Sequence, residues 1–402
     1  MATANDRLQD ILVEHAVGIE RLKAGMVSRA QQVLDAAERG LLALIREVME
    51  DAGSGGRTAT RAQLRQLDAA LKVIRDQRAE AWKAYRERVR AELREFAEDE
   101  AAFTVTAMRR AISLAEVEVV APTVRRLRTA TEGMPFQGRL LGDWFADLEA
   151  ADQDRLLRSL RQGWINGETV DDIVARVRGT RGARYFDGAL SLTRRQAESV
   201  VRTAVTHFSS STHEEVWQAN DDIVAGVKWV SVLDGRTTPV CQDRDGRVDP
   251  LPGHELPEGV PRLDPPGARP PAHVNCRSTT VAVLSGHDIV GERPFVTDVR
   301  TPRERRVDFR RMARAEGRSV AEVRRAWADA NIGRVPAEVR FEDWLRNKAA
   351  SFQDDLLGPT RGKLFREGGL TLERFVDHTG RRYTLAELRA RDAEAFSAAG
   401  LS

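Results

Sequence analysis

Nine of the chain's fifteen prolines crowd into one stretch, Pro239 to Pro271. Proline lacks an amide hydrogen and locks φ at about −65°, so this density predicts a long irregular loop, not a helix or a paired strand. A loop of that length inside a compact domain is either functional or disordered. The only two cysteines of the 402-residue chain stand at its two ends. Cys241 completes the segment Trp229-Val230-Ser231-Val232-Leu233-Asp234-Gly235-Arg236-Thr237-Thr238-Pro239-Val240-Cys241. Cys276 belongs to Pro271-Ala272-His273-Val274-Asn275-Cys276-Arg277. The spacing predicts a loop drawn shut where the cysteines meet, with His273 and Cys276 turned toward one point from a tight turn.

The flanks of this loop read as strands. Val227–Val232 alternates and is rich in β-formers, and Thr279–Leu284 is a second candidate. Upstream, the pattern is helical. Leu8, Ile11, Leu12, Ile19 and Leu22 recur at three- and four-residue steps, and Leu41, Leu42, Ile45, Val48 and Met49 continue them. Gly53-Ser54-Gly55-Gly56 breaks the run, and Thr60 with Gln63 forms a capping box for the next helix. Thr169 with Asp172 and Thr193 with Gln196 mark later helix starts. The expected fold is mainly α with a small β-containing Cys/His module, an α+β arrangement. Residues 1–130 form long helices, an arm or hairpin, and 131–225 a helical bundle. Residues 226–290 hold the Cys/His module, 291–335 a basic linker or helix, and 336–402 a small helical unit.

No apolar run approaches the length of a membrane span, and the first residues lack a basic-then-apolar signal pattern. Two cysteines make no disulfide scaffold, which fits a reducing cytoplasm. The formal net charge is only +2. Any contact with nucleic acid must therefore come from a local patch. One exists: Arg300–Arg325 carries ten arginines against Glu304, Asp308, Glu316 and Glu322.

Zinc takes about four ligands from thiolate, imidazole and carboxylate. Cys241, His273 and Cys276 supply three, and Asp234, Asp243, Asp245 and His254 are near in sequence. Thr238 stands where a Cys-x-x-Cys pair would begin. Three readings share one geometry: a metal site, two small buried side chains beside a structural histidine, or a disulfide formed outside the cell. Asp234-Gly235 suits a turn, and the Asp234 carboxylate has Arg236 and Arg277 as candidate partners for a pair pinning the two halves together. Asn275 tolerates a left-handed backbone. A competing enzymatic reading makes Cys241 a nucleophile, His273 its base, and Asn275 or Asp234 the orienting group. Against it, no glycine-rich oxyanion loop adjoins Cys241, and Cys241 follows a proline turn instead of clearly opening a helix.

Trp229 through Cys241, followed by Pro271 through Arg277, resembles the head-morphogenesis domain of tailed phages, the family of Mu F-like minor head proteins. The helix Ala197–Ala204, with its Arg202-Thr203 pair, resembles that family's upstream helix. Phe341–Leu345, Ser351–Arg361 and Thr384–Leu388 resemble the C-terminal segment of Mu-type members. Residues 1–130 resemble nothing recognised. The resemblance implies a virion component and not an enzyme, present in few copies inside the procapsid. It implies association with the portal and other capsid or scaffold proteins, and a role in head assembly and DNA packaging or delivery. Some members carry a cysteine where Thr238 sits, so the fuller metal pattern is incomplete here. Packaged double-stranded DNA is a further expected partner, through Arg300–Arg325, and assembly is expected in the host cytoplasm.

Overall fold

The computed structural model describes residues 3–53, 55, 59–112, 118–256, 259–285, 292–300, 302–336, 339–377 and 381–401. Ser54 and Gly56 of the expected helix break lie outside them.

Two long helices open the chain, α1 (Ala4–Asp51) and α2 (Arg61–Ile112). Thr3 and Asp6 cap α1 reciprocally, and Thr60 and Gln63 do the same for α2. The pair forms an antiparallel hairpin, but not a detached arm. Its middle buries Met26, Leu34, Trp82, Tyr85 and Leu93 with Phe145 and Phe208. Its far end shares a core with Leu156, Leu160 and Trp164. Its near end packs Leu8, Leu12, Val105 and Met108 on the sheet residues Val227, Val281 and Leu284. Asn5 reinforces that junction by bonding both backbone groups of Leu284, as a neighbouring strand would.

The helices that follow are α3 (Val124–Glu132), α4 (Leu141–Ile165), α5 (Val170–Arg178) and α6 (Ala189–Ala219). Thr169 and Asp172 cap α5 as expected. Thr193 does not start a helix. The chain turns helical at Ala189, and Thr193 lies buried inside α6 accepting a hydrogen bond from Arg155. Local capping chemistry was overridden there by a tertiary partner.

Strand β1 (Val224–Val230) is followed by α7 (Pro239–Arg244), β2 (Val248–Pro250) and β3 (Thr279–Leu284). The sheet order is β2-β1-β3, all antiparallel, with Trp229 opposite Thr280 and Val227 opposite Ala282. The proline-dense stretch therefore contains a short helix and a short strand, contrary to the expectation of none. Pro239 sits in the first turn of α7, where a missing amide costs nothing, and Pro250 ends β2 on a sheet edge.

A second, two-stranded ribbon pairs β4 (Glu292–Val296) with β5 (Ile332–Pro336). Between its strands runs the arginine-rich segment, as two helices, α8 (Pro302–Glu316) and α9 (Val320–Asn331), and not a linker. The C-terminal unit comprises α10 (Phe341–Arg346), α11 (Ala350–Leu357), α12 (Pro359–Arg366), a 3-10 turn (Leu372–Phe375), α13 (Leu385–Arg391) and α14 (Ala393–Ala398). Its core gathers Phe341, Trp344, Leu364, Phe365 and Phe396. The architecture is mainly α with two small sheets. Among the described residues, no helix is long and apolar enough to cross a membrane.

Candidate functional site

The two cysteines and the histidine meet. Cys241 Sγ lies 3.8 Å from Cys276 Sγ and 3.3 Å from His273 Nε2. One ligand atom from each residue falls within 4.8 Å of the others. Both cysteines are buried, against Trp229, Val240 and Leu263, and His273 is half-buried.

Cys241 is held from a short helix, and His273 and Cys276 from the loop that precedes β3. Cys241 occupies the first turn of α7, its amide donating to the Thr238 carbonyl. Its position at a helix start was not legible from the sequence, because six residues are too few to show a period. Cys276 is fixed through its carbonyl, which accepts from Thr206 Oγ1 on α6 and from buried Lys23 Nζ on α1. Asn275 adopts φ 60°, a left-handed conformation that asparagine tolerates. Its amide donates to Thr203 Oγ1, and its side chain to Ser199 Oγ, both on α6. His273 Nδ1 donates to the Val274 carbonyl, which can only accept. Nε2, the other ring nitrogen, faces the sulfurs.

The electrostatics favour one shared proton on the thiols. The hydrogen bond from Cys241 draws the Cys276 thiol well below its ordinary value, with His273 assisting, and the same contact and burial push Cys241 up. Arg244 lies over the Trp229 ring at 5.3 Å, beside this charge.

Around the sulfurs runs a hydroxyl chain that sequence reading missed. The Trp229 indole donates to Ser231 Oγ, which donates to the Cys241 carbonyl and lies 3.1 Å from Ser278 Oγ. Thr203, Thr206, Lys23, Ser231 and Ser278 are ordinary residues in sequence. Only Thr203, through the Arg202-Thr203 pair, and Ser231, inside the Trp229–Cys241 segment, carried a signal.

Arg277 clamps Asp234 with two bonds, of 2.7 and 2.8 Å. Asp234 also accepts from the Arg236 amide, while the Arg236 guanidinium stands 3.7 Å away. Burial works to raise the Asp234 carboxyl, but Arg277 overcomes it and holds it below its usual range. The two halves of the interrupted motif are thus joined twice, at the sulfurs and at this ion pair.

The remaining nearby ligand candidates are engaged elsewhere. Asp234 belongs to Arg277, Asp243 to Arg247, and Asp245 to Arg293, while His254 Nε2 bonds the Asp221 carbonyl. Among the described residues, no fourth histidine, cysteine or carboxylate joins the cluster. Neither orienting group of the enzymatic reading reaches His273, since Asp234 faces Arg277 and Asn275 faces Ser199. The buried, upshifted Cys241 thiol is also the opposite of an exposed thiolate nucleophile.

The molecule is thus a helical body that carries a long loop sealed by a Cys/His knot against one long helix. Residues 154–281, from within α4 to within β3, match the family model described as phage Mu protein F like protein, a head-morphogenesis family of structural proteins. The match covers less than half of the chain, and the knot lies wholly inside the matched stretch. No curated protein and no solved structure matches the chain.

Proposed function

We propose that this chain is a minor head protein of a tailed phage or prophage, which associates with the portal inside the procapsid and assists head assembly and DNA packaging or delivery. The observation that carries the reading is the family match over 154–281, reinforced by the knot and the Asp234–Arg277 clamp inside it. The expected location is the capsid interior or the portal vertex, after assembly in the host cytoplasm. The test is affinity capture of the tagged full chain from phage-producing cells. The portal protein is expected to co-purify, and a chain recovered from heads without it would overturn portal docking.

Within this reading, Cys241, His273 and Cys276 hold one structural zinc. Two thiolates on a tetrahedral zinc at about 2.3 Å lie about 3.8 Å apart. The observed sulfur separation agrees with that value. The backbone acceptor on His273 Nδ1 is the partner a metal-bound imidazole normally keeps. When bound, the ion would supply positive charge to two buried sulfurs and tie the loop ends together. The purified chain should contain about one equivalent of zinc, and Cys276→Ser should lose it and melt at lower temperature. Metal-free protein with unchanged melting would overturn the assignment.

A further inference from the structure

The arginine-rich segment is not explained by the knot or by the matched domain, which ends at residue 281. It folds as a helical hairpin, α8 and α9, set between the strands of the β4–β5 ribbon. Phe309, Ala313, Val323 and Trp327 form a small core of its own. The ribbon is anchored to the body by buried Arg293 and by Phe295, whose ring lies tilted against Trp344. The hairpin turn, Gly317–Ser319, is exposed.

From Phe309 to Ala326 the hairpin carries six arginines against Glu316 and Glu322, a net charge of +4. The acids are already committed. Asp308 pairs with Arg300 and Arg311, Glu316 pairs with Arg318, and Glu322 caps α9 through Ser319. Arg310, Arg314, Arg324 and Arg325 are exposed and make no ion pair among the described residues. Arg310 and Arg314 share one face of α8 at a four-residue step, about 6 Å along the axis. Four uncompensated guanidiniums near one turn repel each other, a cost that an anionic ligand removes.

We propose that the tip-proximal half of this hairpin binds the phosphate backbone of double-stranded DNA without sequence preference. Guanidinium is the group that grips phosphate bidentately. Single strands are disfavoured, because the only aromatic side chains on the hairpin, Phe309 and Trp327, are in its core and offer no stacking platform. An acidic protein face is disfavoured for a related reason. The exposed apolar residues of the hairpin, Val307, Met312 and Val320, include no aromatic anchor.

The experiment is fluorescence anisotropy of the full chain with two duplexes of about 30 base pairs and unrelated sequence, between 50 and 200 mM salt. Four phosphate contacts give a log–log salt slope of about −3.6, so affinity should fall roughly 100-fold over that range and equally for both duplexes. Combined Arg310→Ala, Arg314→Ala, Arg324→Ala and Arg325→Ala should abolish most of that slope, and the four Arg→Lys changes should retain it. None of the four side chains supports the hairpin core, so circular dichroism should be unchanged. Equal binding by the alanine variant, a salt-independent affinity, or tighter binding to poly-glutamate than to duplex would overturn the proposal, the last assigning the face to an acidic protein. The inference stands apart from portal docking: failed portal capture leaves the titration intact, and a flat titration leaves portal docking intact.

Discussion

Asn275 shows how one backbone angle positions a site. At φ 60° its amide meets Thr203 and the chain delivers Cys276 three residues after His273. Asn275→Gly should therefore be nearly neutral, whereas Asn275→Val should cost about 1–2 kcal/mol from left-handed strain. Urea denaturation of the two variants checks the difference, and equal stability would show that the angle is not needed. The Asp234–Arg277 clamp was readable as a candidate because both residues flank the cysteines, but Arg236 was an equal candidate in sequence. Geometry chose Arg277, whose guanidinium reaches both carboxylate oxygens from just ahead of β3, while the Arg236 guanidinium stands 3.7 Å away. Arg277→Ala leaves a buried carboxylate without its partner and should cost about 3 kcal/mol. Arg236→Ala should cost less than about 1 kcal/mol, as an exposed pair does.

At the scale of elements, the long helices were legible and their fastenings were not. Three- and four-residue periodicity marked α1, and capping boxes marked the starts of α2 and α5. Nothing marked Glu100 as the buried centre of a cluster joining α1, α2 and α6. It accepts from His15 and Ser209, and its carboxylate lies 2.8 Å from His213. Burial opposes its charge, yet the two histidines hold its carboxyl well below the ordinary value. A carboxyl lowered on folding stabilises above its unfolded pKa, and that contribution disappears as pH falls. His207 on α6 acts in a higher window. Burial against Phe136 lowers it from 6.5 to about 4. The unfolded chain binds that proton near pH 6.5 and the folded chain does not until about pH 4, so stability is full above 6.5. It should fall by about 3 kcal/mol as pH drops through the window. Between pH 7 and pH 5 the unfolding free energy should fall by about 2 kcal/mol of that total, and His207→Gln should flatten that part of the profile. An unchanged slope in the variant would remove His207 as the cause.

At the scale of the molecule, one buried ion pair ties the parts together. The Asp245 carboxylate is fully buried and accepts from Arg293 on β4, from the Ser231 amide after β1 and from the Phe341 amide at the start of α10. Arg293 also donates to the Ser231 carbonyl. The Cys/His module, the ribbon and the C-terminal unit thus share a single hydrogen-bonded node. Arg293→Ala should cost about 3–5 kcal/mol by stranding Asp245. It should also split one calorimetric transition into two, with the 341–401 unit melting first, whereas a single cooperative transition would show that apolar packing alone couples the units. Asp245 had looked like a zinc ligand because it stands four residues from Cys241. Its true partner is 48 residues away, beyond anything spacing can reveal.

What the sequence determined by itself was local: helical periodicity, the strand Thr279–Leu284, the glycine break after α1, and the convergence of two cysteines and a histidine at the ends of a proline-stiffened loop. These follow from backbone preferences and from short-range side-chain geometry, which act within a few residues. Tertiary structure alone decided which carboxylate meets which arginine, that α1 and α2 share their core with the matched domain, and that the basic segment is a hairpin instead of a linker. Those outcomes depend on burial and on partners far apart in the chain, where the cost of an unpaired charge outweighs any local preference.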